Sequence, residues 1–97
     1  MFQITSNSYN RIASELRDAI SPTTIFSGSI EFEIDEVQYK FVATIIPYYH
    51  QERFPEGAVK VLYDIVPVWW ELRTTTTNGE VINDFDFETL KFLICQQ

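Results

Sequence analysis

The chain has 97 residues, enough for a single domain over 1–97, and its 45% hydrophobic and 22% charged residues are too apolar a mixture for a disordered segment. A net charge of −7 speaks against a protein that grips duplex DNA or RNA, because such binding rests on lysines and arginines that neutralise phosphates. One cysteine excludes an intramolecular disulfide, and no apolar run approaches the roughly 20 residues of a membrane span or the core of a signal peptide, so a soluble, cytoplasmic protein is expected.

The first element is a helix. Tyr9, Ile12, Ala13, Leu16, Ala19 and Ile20 recur at three- and four-residue steps and form one apolar face. Thr5 suits the N-cap, with Ile4 and Tyr9 placed as a hydrophobic staple, and Ser21-Pro22 ends the helix because a residue before proline avoids helical geometry. Helix is therefore expected over Ser6–Ile20.

A hairpin follows. Ile30, Phe32 and Ile34 alternate with polar residues, and Val37, Tyr39, Phe41, Ala43 and Ile45 resume the alternation after Asp35-Glu36. With those two as the turn, Ile34 faces Val37, Phe32 faces Tyr39, Ile30 faces Phe41, and Glu31 faces Lys40 on the other side. A slip of one residue would destroy both the apolar and the charged matches.

Pro47 to Gly57 contains two prolines and a closing glycine and reads as a loop. Beyond it Val59, Val61, Tyr63 and Ile65 alternate with Lys60, Leu62, Asp64 and Val66, which assigns the first four to the core face. Pro67 lacks a ladder donor, so the strand lies at an edge or bends there. Val68 to Thr76 resumes as strand, and Asn78-Gly79 is a strong hairpin signal, which would pair Thr76 with Val81 and Thr75 with Ile82. A short helix closes the chain, with Asp86 at its N-cap, Phe85 and Leu90 as a staple, and Phe87, Leu90 and Ile94 on one face. The fold class is α+β: an N-terminal helix, an antiparallel sheet of four to five strands and a short C-terminal helix.

The excess charge is concentrated. Glu31, Glu33, Asp35 and Glu36 carry −4, and Glu80, Asp84, Asp86 and Glu88 against Lys91 carry −3. Asp84, Asp86 and Glu88 resemble the start of a calcium loop, but the glycine and glutamate required at its sixth and twelfth positions are Thr89 and Cys95. The only histidine, His50, and the only cysteine, Cys95, are too few for a zinc site, and Cys95 lies at the end of a helix whose dipole does not activate a thiol. No phosphate loop or nucleophile elbow is present. No catalytic residue, metal ligand or cofactor is assigned.

Binding residues are easier to nominate. Tyr48, Tyr49, His50 and Arg53, with Phe54 beside them, crowd into the expected loop, and Tyr and Arg are common anchors of protein interfaces. Trp69 and Trp70 are adjacent on a strand and must point to opposite faces. The face away from the core holds Val42, Ile46, Leu62, Val66 and one tryptophan, more apolar than a solvated sheet face. A C-terminal helix of about 13 Å could cover only part of it. Trp69 joins the binding residues on this face, and a homodimer or another protein partner is expected there.

Asp64-Ile-Val-Pro-Val-Trp-Trp-Glu71, followed by Asn83-Asp-Phe-Asp-Phe87, resembles small uncharacterised proteins of bacterial mobile elements, over roughly the last third of the chain. That resemblance implies no activity, cofactor or site. The α-β-β-β-α order is also similar to double-stranded RNA-binding domains, but the chain lacks their basic helix start. The reading that emerges is a small acidic protein–protein interaction module that contacts neither nucleic acid nor membrane. An acidic mimic of nucleic acid that inhibits a host enzyme is the alternative, and an enzyme without a recognisable motif comes third.

Overall fold

In the computed structural model, which describes residues 1–21 and 25–95, the elements run α1 (Ser6–Ala19), β1 (Phe26–Ile34), β2 (Val37–Phe54), β3 (Gly57–Thr76), β4 (Gly79–Val81) and α2 (Phe87–Cys95). The four strands form one antiparallel sheet in sequence order. Thr5 caps α1, its hydroxyl accepting the Ser8 N–H at 3.3 Å, and Ile20 closes the helix as C-cap. Pro22, the expected stop, lies outside the described residues.

The first hairpin has the register that its two-sided pattern requires: Ile34 opposite Val37, Phe32 opposite Tyr39, Ile30 opposite Phe41, and Glu31 opposite Lys40. Asp35 and Glu36 form the turn at φ +51° and +65°, left-handed values that suit the twist of a two-residue hairpin turn but cost non-glycine residues energy. The second predicted turn moves by one residue. Thr77 and Asn78 occupy it, pairing Thr76 with Gly79 and Thr74 with Val81. Gly79 supplies the positive φ, +110°, just after the turn, and Asn78 keeps an ordinary one. The Thr76 hydroxyl accepts the Asn78 N–H and donates to the Gly79 carbonyl, both at 3.1 Å, which fixes this register.

Both helices pack on the same face of the sheet. Ile12 and Leu16 of α1 and Leu90 and Ile94 of α2 are buried against Phe41, Ala43, Ile45, Ile65 and Leu72. Arg17 donates to the Leu93 carbonyl at 2.7 Å, and the Tyr9 ring stacks on Phe85 at 5.3 Å. Asp86 caps α2 as expected: one carboxylate oxygen accepts the Glu88 N–H and the other the Thr89 hydroxyl. The Asp86 N–H itself donates to the Tyr9 hydroxyl at 2.9 Å.

The N-terminus is clipped beside β4 by Phe2 N–H to the Ile82 carbonyl at 2.8 Å, Asp84 N–H to the Phe2 carbonyl at 3.1 Å, and Ile4 N–H to the Asp84 carboxylate at 2.7 Å. Asn83 locks this corner. Its amide donates to the Leu72 carbonyl and the buried Thr74 hydroxyl, and its oxygen accepts the Phe85 N–H.

The segment expected to be a loop is strand. β2 continues through Pro47, Tyr48, Tyr49, His50 and Arg53 to Phe54, and turns back at Pro55-Glu56 into Gly57 at φ +145°. The two prolines are tolerated because each lies where its strand is paired on one side only. β1 has already ended opposite Ile45, β4 covers only Thr74–Thr76, and Pro67 also flanks an irregularity in the ladder. β3 therefore passes through Pro67 as one strand and the sheet has four strands.

The assignment of Val59, Val61 and Tyr63 to the core is also corrected. Tyr63 is 51% exposed and Val59 53%, whereas Leu62 packs against the core and Val66 is exposed. The cause is a β-bulge. Tyr48 pairs with Asp64 and Tyr49 with Leu62, so Tyr63 is the extra residue and the alternation changes phase there. Ile65, on the body side of the bulge, remains wholly buried.

Candidate functional site

Past Ile45 and Ile65 the paired strands outrun everything that covers them. Every residue from 51 to 60 is exposed. The molecule measures 56 × 22 × 18 Å, and its radius of gyration of 15.1 Å exceeds the roughly 12.5 Å of a compact domain this size. The excess length is a two-stranded arm. Its residues 46–54 and their partners on β3 span about 30 Å at 3.3–3.4 Å per residue.

Aromatic residues and valines line this arm because β-branched and aromatic side chains favour extended, pleated backbone. Alternation divides the nominated residues between its two faces. Tyr48 and His50 share one face, where Tyr63 meets both, with ring centroids 6.3 and 5.4 Å apart. Val61 lies opposite His50, and Val59 opposite Glu52, on that same face. Glu52 reaches His50 Nε2 at 3.2 Å. Tyr49 and Arg53 belong to the other face, with Tyr49 opposite Leu62 and half-buried, and burial raises its hydroxyl pKa above the ordinary value. The four residues nominated together thus do not form one cluster.

Register also separates the tryptophans. Trp69 lies opposite Thr44 and continues the Tyr48 face toward the body, 51% exposed. Trp70 lies opposite Ala43 on the helix side, where its ring meets Phe85 and Phe87 at 5.2 and 6.0 Å. Val42, Thr44 and Ile46 share the Trp69 face with Val66 and Glu71. Both helices lie on the opposite side, so α2 does not cover this face.

Sequence reasoning missed Tyr63 and Val59 as exposed members of the site, and Phe54, seen in the aromatic stretch, was not among the nominated residues. A signal was present: Pro55-Glu56-Gly57 is a turn flanked by two stretches of strand-forming residues, Tyr48–Phe54 and Ala58–Val66. The bulge that turns Tyr63 outward has no comparable marker.

Elsewhere the chemistry is quiet. Asp64 at the root of the arm binds Lys91 of α2 at 3.0 Å, and this hydrogen bond raises the lysine's pKa. Burial raises the Cys95 thiol, which also receives a backbone hydrogen bond from Ile65, so at neutral pH it is protonated and a weak nucleophile. Among the described residues, no group of three or more His, Cys, Asp or Glu side chains could hold a metal ion, and no helix is long and apolar enough to cross a membrane.

The acidic segments are interrupted. Glu31 and Glu80 line one depression together with Lys40 and Arg73, and Arg73 bonds to Glu71. Asp84 and Asp86 are engaged by backbone and hydroxyl donors. Comparison of the chain with family models, with curated proteins and with solved structures finds no match.

Proposed function

We propose that this chain is a protein–protein interaction module whose contact element is the arm formed by residues 46–66. The observation that carries the reading is the arm itself. A two-stranded hairpin alone is marginal in water, and natural proteins rarely leave long apolar strand edges open. Here such a hairpin projects about 30 Å with Tyr48, Phe54, Val59 and Tyr63 at least two-fifths exposed. An element of this kind gains stability when another surface covers it.

Tyr48, His50 and Trp69 act as anchors on one face. Arg53 supplies a polar contact from the other face, beside Tyr49. Nucleic-acid phosphate is a poor partner, because Arg53 and Lys60 are balanced by Glu52 and Glu56 along the arm. The nucleic-acid mimic gains no support, since Lys40 and Arg73 interrupt the carboxylates such a surface would need.

The test is a photo-reactive phenylalanine analogue introduced in cells at Tyr48 or Phe54, and for comparison at Glu33 on β1. Adducts of discrete mass from the arm positions alone support the reading. Absence of arm adducts, or equal labelling from Glu33, refutes it.

A further inference from the structure

We infer that the arm's occupant is a second copy of this chain, packed antiparallel and face to face through the surface that carries Tyr48, His50, Val59 and Tyr63. The inference rests on the proposal that the arm is a protein-contact surface, and three observations lead from that surface to self-association.

The first is charge. Between residues 48 and 63, Glu52 and Glu56 cancel Arg53 and Lys60, so the net −7 of the chain belongs entirely to the remainder. Two copies repel through their bodies but not through their arms. A basic partner, by contrast, would be drawn to the body. Antiparallel overlap also places the two bodies at opposite ends of about 30 Å of ribbon, several times the screening length of about 8 Å at physiological salt.

The second is area. Tyr48, Phe54, Val59, Tyr63 and Val66 are between 37% and 53% exposed. At about 200 Å² for a whole aromatic side chain and less for valine, they leave roughly 400 Å² open per copy, or roughly 800 Å² over two. His50, Ile46 and Val61 on the same face carry the total past the roughly 1,000 Å² that a specific interface must clear.

The third is self-complementarity, which a two-fold contact demands because each patch meets itself. Place the axis at the rung where His50 faces Val61. The Tyr48 rung then lies over Glu52 and Val59 of the second copy, and the Phe54 rung lies over Ile46 and Val66. Tyr48 reaches Val59 and Phe54 reaches Ile46 and Val66; of the two carboxylates on this face, Glu52 keeps its His50 contact at the centre and Asp64, opposite Tyr48, is already held by Lys91 of its own chain.

Sedimentation equilibrium of the intact chain, up to about 100 µM, decides the matter; a contact of this size spans the micromolar range. The expected mass is twice 11.4 kDa. Val59→Lys, at an exposed position outside the core, should weaken the dimer at least about tenfold while the circular dichroism and melting of the monomer stay unchanged. His50→Cys in a Cys95→Ser background should be joined to its twin by a short bismaleimide that spans the roughly 10 Å between face-to-face sheets, and Glu33→Cys in the same background should not.

A wild-type chain that stays monomeric across this range overturns the inference, as does a dimer indifferent to Val59→Lys. Photo-crosslinking separates the two failures. A monomer whose Tyr48 position captures a different protein leaves the interaction module standing without self-association. A monomer with no arm adduct removes both.

Discussion

Asn83→Ala tests whether the corner that holds the N-terminal segment beside β4 is built as described. The Asn83 amide donates to the Leu72 carbonyl at 2.9 Å and to the Thr74 hydroxyl at 3.3 Å, and its oxygen accepts the Phe85 N–H at 3.0 Å. Alanine removes all three. At about 0.5–1.5 kcal/mol each, with partial exposure letting water replace some, the loss is about 2–3 kcal/mol. That is a large share of the roughly 5–15 kcal/mol expected of a whole domain. Urea denaturation at fixed protein concentration measures it as a lower midpoint at unchanged slope.

Asn83→Asp sharpens the test. The carboxylate keeps the Phe85 bond but turns an acceptor toward two acceptors, so its folded pKa rises above the ordinary value of about 3.9. A raised folded pKa means stability that is present below the unfolded value and lost as pH rises through the folded one. The deficit of Asn83→Asp relative to wild type should therefore shrink in acid, while that of Asn83→Ala should not. An Asn83→Ala chain within about 0.5 kcal/mol of wild type, the range of an uninvolved surface position, would refute the reasoning.

Three further outcomes follow from the same structure. Replacing residues 49–63 by Asn-Gly, so that Tyr48 and Asp64 flank a two-residue turn, removes the arm but no buried residue. The chain should still fold cooperatively, within about 1–2 kcal/mol of wild type diluted to monomer, and failure to fold would show that the arm belongs to the core. Glu36→Gly relieves a left-handed backbone at φ +65° and should raise stability by about 1 kcal/mol in thermal melts, and a loss instead would mean that the turn does not adopt that geometry. The Lys91 pKa is raised by its hydrogen bond to Asp64, so the stability from this contact is complete below the ordinary lysine value of 10.5 and lost as pH rises through the raised one. Wild type should accordingly lose more melting temperature than Lys91→Met across that alkaline range, and parallel curves for the two would deny the contact any role.

Some elements were decided locally. The α1 stripe from Tyr9 to Ile20 and the Thr5 cap need no distant residue to be recognised, and Asp86 caps α2 for the same local reason. The register of the first hairpin is legible because two independent matches, Ile–Val, Phe–Tyr and Ile–Phe on one face and Glu31–Lys40 on the other, agree on one alignment. For the site, exposure of the aromatic stretch around Tyr48 and His50 and of Trp69 was legible from composition, and the grouping was not. Adjacent strand residues point to opposite faces, so reading residues 48–53 as strand rather than loop moves Tyr49 and Arg53 away from Tyr48 and His50.

What the sequence by itself determined, then, is the set of helices and strands whose apolar period is continuous and whose ends carry their own caps and turns. Tertiary structure decided how far each strand outlasts its cover. Alternation at Val59, Val61 and Tyr63 records a strand with an apolar side, and the same record fits a side buried under a helix or one left open for a second copy. Where β1 ends opposite Ile45 and α2 reaches only the root of the arm at Asp64, the identical pattern becomes surface. One extra residue at Tyr63 then exchanges the sides of the sheet that it and Leu62 would otherwise take. A bulge is set by the twist and pairing of two strands together, and neither strand alone encodes it.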